Sequence, residues 1–541
     1  MMHAAMSGAA ARHPRSLRAR VFLIIAGAAF FWQVRATSAL QPASPLTEAE
    51  ARLCALLQGD PTTRLPISDE QVGNLRAFYA ARNYQLAWEG STLSLQQANA
   101  ARSSLAAAGK DGLDPSEYRA NAAAPTSPEA DILLTEAVLR YAGDLGTGRV
   151  ALVNRGSDVS LPTPQLHIVQ DLDVALSQGK VTAFLESQRP SAPEYARLAA
   201  ALAQYDGIAA RGGWNALAPP RLESSAKDPA YGQAVLVRLA AEGITLPASS
   251  DSEDLEERLA TALSRFQQTH GLPVDGKLGK QTLEALNMSA AQRADTIAAN
   301  LERWRWMPRP LEARYIMVNV PANTLEVVDH GAVILSSRVV AGRPSDPTPI
   351  LRAEVRGIVV NPPWNVPSKI ARREILPKLR RDPQYLEKHD MIVKSDGQIQ
   401  QLAGPQSALG TLKLDMPNPF AVYLHDTPSR NAFALDKRHL SHGCVRVQAI
   451  LPLASIVLAG DASSGEATLK DAIASGATQS IPVPGPVPVY FAYWTAFVDD
   501  DGTVEFRPDV YGRDERLLTV LHRGGPMRVT QLEAGCAPGQ G

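Results

Sequence analysis

The sequence has little cysteine, no charge bias and no long hydrophobic run. Of 541 residues only Cys54, Cys444 and Cys536 are cysteine. No spacing in the chain suggests a metal site, and an odd number leaves at least one thiol unpaired in an oxidising compartment. Lysine and arginine number 54 against 55 acidic residues, a net charge of -1, which gives no sign of a nucleic-acid partner or of a patch for acidic membranes. The apolar run from Val21 to Trp32 has twelve residues, whereas a bilayer span needs about twenty. Apolar content of 45% and charged content of 20% do not fit a disordered chain. What remains is a globular protein too long for one core, so three or more domains are expected.

The N-terminus is the exception to this plain composition. Arg12, Arg15, Arg18 and Arg20 precede the apolar run, and Ala36-Thr37-Ser38-Ala39 follows it. A basic region, a short apolar stretch and small residues mark residues 1–39 as a secretory signal, with an uncleaved anchor as the alternative and hence a possible membrane tether. The body of the chain is expected to be exported in either case. Cys54 and Cys536 lie near opposite ends and could pair, which leaves Cys444 as the expected free thiol.

Cys444 lies in the densest group of chemistry-bearing residues: His439-Leu440-Ser441-His442-Gly443-Cys444-Val445-Arg446-Val447, with Tyr423-Leu424-His425-Asp426 upstream. A thiol attacks as thiolate, and a neighbouring imidazole can lower its pKa. Val445-Arg446-Val447 alternates like a strand, so Ser441-His442-Gly443 reads as the turn that delivers the thiol. Gly443 would let the backbone bend and present amides to a developing oxyanion. For a lone cysteine, burial as a small hydrophobe is the ordinary expectation; the surrounding histidines argue against it here.

The segment resembles the signature of the L,D-transpeptidases, cysteine enzymes that cross-link peptidoglycan. Fifteen residues separate His425 from Ser441-His442-Gly443-Cys444, inside that family's spacing. The resemblance implies Cys444 as nucleophile and His425 as general base, with the amides of His442, Gly443 and Cys444 holding the oxyanion and Ser441 supporting them. His442 would polarise the site or touch substrate, and His439 would face solvent. Asp426 could orient His425, although in the family a backbone carbonyl usually does so. Arg446 could bind a substrate carboxylate or make a structural ion pair. Trp364, between prolines, is a groove wall or core, and Tyr423 is a further substrate-binding candidate. The resemblance also implies a metal-free and cofactor-free reaction with peptidoglycan stem peptides and glycan as partners. The implied product is a 3→3 cross-link between diaminopimelate residues, with carbapenem-type β-lactams as inhibitors and the periplasm as location. A carboxypeptidase, a wall-to-protein ligase and a non-catalytic wall-binding protein are the competing readings.

Along the chain the expected fold is multidomain α+β. Helical periodicity over 65–206 resembles the family's scaffold region, and Tyr84, Trp88 and Tyr118 there are read as core rather than as a sugar-stacking surface. A flexible linker is expected around Gly207–Pro229, marked by Gly212-Gly213-Trp214. Residues 231–288 show three apolar helical faces around Gly271-Leu272 and Asp275-Gly276, resembling a three-helix peptidoglycan-binding domain. A charge-rich helix to about Trp306 follows. Strands at 315–320, 324–329 and 333–340 open a catalytic domain over 313–480, interrupted by a helical cap at about 368–404. Pro482 to Pro488 reads as an extended linker to a β extension at 489–525, whose hairpin turns at Asp499-Asp500-Asp501-Gly502 without holding calcium.

Overall fold

The structure, a computed structural model, describes residues 46–58, 67, 69–118, 127–219, 228–244 and 255–523. The signal or anchor stretch, Cys536 and the end of the 489–525 extension lie outside these residues. No described helix is long and apolar enough to cross a membrane.

Helices α1 (Glu48–Gln58), α2 (Asp69–Ala81), α3 (Thr92–Ala106), α4 (Pro128–Thr147), α5 (Ile168–Gln178) and α6 (Val181–Ser187) surround one core. Tyr84, Trp88 and Tyr118 are buried in it, as the core reading requires. The Trp88 indole donates to Thr135 Oγ1 and Tyr118 donates to Asp144, while Asp131 accepts from the Tyr79 hydroxyl and from the amides of Ala87 and Trp88. A groove built to stack sugars would leave such rings open.

A second core runs along α7 (Pro193–Ala210) and continues into the β-domain. The expected linker beyond α7 is a strap. The Trp214 indole donates to Met288 O at 2.8 Å and lies 3.8 Å under the Arg238 guanidinium; residues 220–227 lie outside the described set. The strap leads to a bundle of α8 (Pro229–Ala241), α9 (Leu255–Thr269) and α10 (Lys280–Leu286), closed over Val235, Leu239, Leu263, Phe266 and Leu286.

Helix α11 (Ala290–Arg305) starts on a Ser289/Gln292 capping box and packs along α7. Its charges are not a solvated face, because Glu302 and Arg305 form an ion pair whose side chains are both 0% exposed. Glu302 also accepts from Val150 N and the Trp306 indole, and Arg305 donates to Asp111 O and the Tyr195 hydroxyl. One helix thus joins the scaffold to the domain that follows.

That domain is a β-barrel. A short strand β1 (Val159–Ser160) from the first half lies parallel to β5 (Ile350–Val360). Strands β2 (Arg314–Asn319), β3 (Thr324–Asp329) and β4 (Ala332–Gly342) form the expected meander, and the His330-Gly331 hairpin has both φ positive, as a two-residue turn requires. The cap holds β6 (Trp364–Asn365), α12 (Ser368–Ile370), a wide π turn (Ala371–Ile375), α13 (Leu376–Arg381), α14 (Tyr385–Lys388), β7 (Met391–Val393) and β8 (Ile399–Gln401). Its regular structure is mostly helical, with a small antiparallel sheet of order β6-β8-β7 added, and it closes on its own small core of Val366, Ile375, Met391 and Ile399.

After the cap come β9 (Leu412–Asp415), β10 (Leu424–His425), β11 (His439–Ser441) and β12 (Val445–Val447), then α15 (Ile450–Ala459) and α16 (Glu466–Ala474). Strand β13 (Gln479–Ala492) contains the expected proline linker. It lies antiparallel to β5 and, from Val489, parallel to β2. Prolines are tolerated because the stretch between Pro482 and Val487 leaves the ladder with β5 as a bulge, Pro482 pairing with Gly357 and Val487 with Val355. The strand order β5-β13-β2-β3-β4-β12-β10-β9 returns to β5, so the sheet closes on itself. The hairpin of β14 (Ala496–Val498) and β15 (Val504–Phe506) is shorter than expected, because Val489–Ala492 belongs to the barrel. Helix α17 (Arg513–Arg523) follows, with Arg303 of α11 paired to Asp514 at 2.6 Å.

Candidate active site

Parallel pairing of β10 with β12 sets Leu424 opposite Val445 and His425 opposite Arg446, so the histidine and the residues after the cysteine are brought together by sheet register. His425 is 4% exposed. Its Nδ1 lies 2.5 Å from Asp426 O, which fixes the tautomer with the proton on Nδ1 and leaves Nε2 as a lone-pair acceptor. Burial first, and then the Arg446 guanidinium, hold this imidazole down at about 4, so it is neutral near pH 7. The Asp426 carboxylate takes no part in orienting the ring: it accepts from Thr411 N, Thr411 Oγ1 and Arg430.

Cys444 is a free thiol, partly open to solvent although closely surrounded. Cys54 is disulfide-bonded. Burial pushes the Cys444 thiol up; the Tyr423 backbone and hydroxyl, Lys413 and Arg446 pull the other way without cancelling it. A thiolate resting beside an imidazolium is therefore not the ground state, contrary to the lowered pKa expected from the sequence. Desolvation outweighs the neighbouring cations, and the pair rests as neutral thiol and neutral imidazole. The sulfur lies 3.9 Å from Ala421 O, the best acceptor for its proton at rest.

The loop before the cysteine is tied by Ser441, whose Oγ donates to Cys444 O and accepts from Gly443 N at 3.1 Å. The Gly443 amide is thus spent inside the loop and is not free for an oxyanion. Its φ of +112° is the backbone bend that allows this tie. The amides of His442 and Cys444 have no intramolecular acceptor among the described residues. They are the donors left for a developing negative charge.

His442 does not face the thiol's reaction partner. Its Nε2 lies 2.6 Å from Glu374 in the π turn of the cap. Arg343 bridges Glu374 and Asp346 at 2.9 Å each, and Lys369 of the cap reaches Asp346 at 2.6 Å. This alternating chain of charges latches the cap to the cysteine loop. His439, expected in solvent, is half-buried, with Nε2 3.0 Å from Val320 O and its ring edge-on to Tyr511. Tyr423 stands beside the sulfur with its hydroxyl raised by burial and then by Cys444, and the Trp364 indole on β6 hydrogen-bonds it. Trp364 is half-buried against the cap core, so it joins cap to site. Arg446 is half-buried with no ion-pair partner among the described residues, which removes the structural ion-pair reading.

Lys413, Glu374, Arg343 and Asp346 were not singled out by the sequence. Lys413 alternates with Leu412 and Leu414, a weak sign of a strand face; the others carry no local signal. No group of three or more metal-ligating side chains comes together among the described residues.

Comparison with known proteins matches residues 313–473 to the L,D-transpeptidase catalytic domain, 73–202 to a scaffold domain and 237–286 to a peptidoglycan binding domain. A curated relative from Haemophilus influenzae, named "Putative L,D-transpeptidase", is 34% identical over 268 residues, covering 45% of this chain and 54% of the relative. The chain thus spans about half the length of the curated relative it matches. Among solved structures, an L,D-transpeptidase (Yku) from Stackebrandtia nassauensis is 14% identical with a TM-score of 0.19, over 48% of this chain and 90% of that one. An L,D-transpeptidase in complex with imipenem is 16% identical with a TM-score of 0.19, over 33% and 59%. Superpositions at that level carry no argument about this chain.

Proposed function

We propose that the chain, whose residues 313–473 match the L,D-transpeptidase catalytic domain beside matches to a scaffold domain and a peptidoglycan binding domain, forms 3→3 cross-links in peptidoglycan through a thioester on Cys444. The donor is a tetrapeptide stem whose third residue is diaminopimelate. As Sγ attacks that residue's carbonyl carbon, its proton passes to His425 Nε2, and the amides of His442 and Cys444 receive the oxyanion. The C–N bond to the terminal D-alanine breaks, and His425 returns the proton to the departing amine. The side-chain amine of a second stem then attacks the thioester, giving its proton to His425. Sulfur leaves and is reprotonated.

The observation that supports this reading is the buried imidazole held by the Asp426 carbonyl on β10, the strand whose parallel neighbour β12 begins directly after the cysteine. A neutral base that is already deprotonated near pH 7 suits a thiol whose own pKa burial has raised. The peptidoglycan-binding domain supports action outside the cytoplasm, and carbapenem-type β-lactams are expected to acylate the same sulfur. Mass spectrometry of the intact protein after exposure to tetrapeptide stem or meropenem, with the adduct mapped, tests it. An adduct on Cys444 and a diaminopimelate-linked product are expected; a hydrolysed tripeptide alone would make the enzyme an L,D-carboxypeptidase, and an unreactive thiol would leave a wall-binding protein.

A further inference from the structure

His425 is the middle of a row of three. Antiparallel pairing of β9 with β10 sets Lys413 opposite His425, and parallel pairing of β10 with β12 sets Arg446 on its other side. Residues opposed in register project from the same face of a sheet, their Cβ atoms about 5 Å apart. Lys413 Nζ stands 4.4 Å from the centroid of the Tyr423 ring, and that ring meets the His425 ring edge-on at 5.8 Å. Both cations are within electrostatic reach of the Cys444 sulfur. Neither has an ion-pair partner among the described residues, and both are half-buried. The Asp426 carboxylate, next to the base in sequence, is already engaged by Thr411 and Arg430. Two cations that flank a base, face a nucleophile and lack a protein carboxylate make a site for a carboxylate brought by the substrate.

We propose that Lys413 and Arg446 form a two-cation clamp for the carboxylate that ends the donor peptide, and that this clamp reads donor length. The inference rests on the transpeptidase reading. In a tetrapeptide stem cut after its third residue, the terminal carboxylate is three bonds from the carbonyl carbon that sulfur attacks. An additional residue moves the carboxylate roughly 3.5 Å further along the chain, out of the row that holds Lys413, His425 and Arg446. The clamp thus selects stems with one residue beyond the bond to be broken, and Lys413 is a substrate-binding residue.

The experiment compares initial rates of Cys444 thioester formation by the full chain, followed by intact mass. Three donors are used: the free-acid tetrapeptide, the same peptide ending in D-alaninamide, and the pentapeptide. Wild type is expected to prefer the free-acid tetrapeptide over both others. Lys413→Met is expected to lower kcat/KM for the free acid about tenfold, mainly through KM, the size of one charge-assisted hydrogen bond. Its rate on the amide donor is expected to stay within about twofold of wild type, and Lys413→Arg is expected to recover most of the loss. Equal losses on acid and amide donors, or no loss on either, would overturn the clamp. A wild-type chain that forms no thioester with any donor would overturn the reaction itself, and the clamp with it.

Discussion

Two groups of buried charge sit in this molecule and they are arranged on opposite terms. Around Glu242 the carboxylate meets Arg238 at 2.9 Å, Arg293 at 3.1 Å and His270 at 3.4 Å, with the Tyr205 hydroxyl also donating to it. Burial works against the Glu242 charge, but His270, Arg293 and Arg238 together hold the carboxyl down at about 2. These partners come from α7, α8, the residue that follows α9, and α11, and the His270 ring stacks on Phe266 and Phe506. The hub joins the peptidoglycan-binding bundle to its neighbours, so the bundle is not the separate module its sequence suggests. Around Cys444, by contrast, Lys413 and Arg446 have no carboxylate partner among the described residues. The buried charge with partners holds the fold together, whereas the half-buried cations without one are the feature on which the proposed clamp rests.

The sharpest way to break this contrast is at the sulfur. Cys444→Ala is expected to remove the thioester and all cross-linking while sacculus pull-down persists; residual stem dimers would refute the nucleophile. His425→Gln should slow acylation by about 10²–10⁴-fold without changing the melting temperature appreciably. Glu242→Gln should do the reverse, costing about 3–5 kcal/mol of stability because it leaves two guanidiniums buried without their counter-charge. Chemical denaturation measures that loss, and acylation rates well below the melting point should stay near wild type. Glu374→Gln, which weakens the His442 latch between half-exposed groups, should cost no more than about 1 kcal/mol and change acylation only a few-fold.

The smallest effects concern pH. With the His425 imidazole held near 4, acylation should fall only as the pH approaches that value; an acid limb near 6.5 would contradict the neutral pair. His270 is likewise pushed to about 4 from 6.5, by burial and then Arg293. An unfolded chain therefore takes up a proton between those values that the folded chain refuses. Stability from this group is complete above about 6.5 and is lost as pH falls toward 4. Asp144, held up at about 6 by burial, opposes it over part of the same window. The difference between wild type and His270→Gln, measured from pH 4 to 7, isolates the histidine.

Much of this was legible in the sequence where chemistry is local. The spacing from His425 to Cys444, the meander from Arg314 to Gly342 and the buried rings of the scaffold all follow from short-range pattern. Legibility failed where neighbours are distant in sequence. Glu302 and Arg305 look like the solvated face of a helix until the amides of Arg149 and Val150 are seen capping the carboxylate. Lys413 became informative only when sheet register set it beside the base. The pKa of the thiol was misjudged for the same reason, because desolvation is a property of the packed domain rather than of the peptide around residue 444.

Strand β13 carries a last consequence. Between Pro482 and Val487 it bulges from β5 and pairs with no other strand among the described residues, and Pro482, Pro484, Pro486 and Pro488 occupy alternate positions. Proline has no N–H to give, so these rings strip backbone donors from this stretch. An exposed sheet margin usually invites a stranger's strand to zip on. Here four prolines leave an incoming strand few N–H groups to pair with.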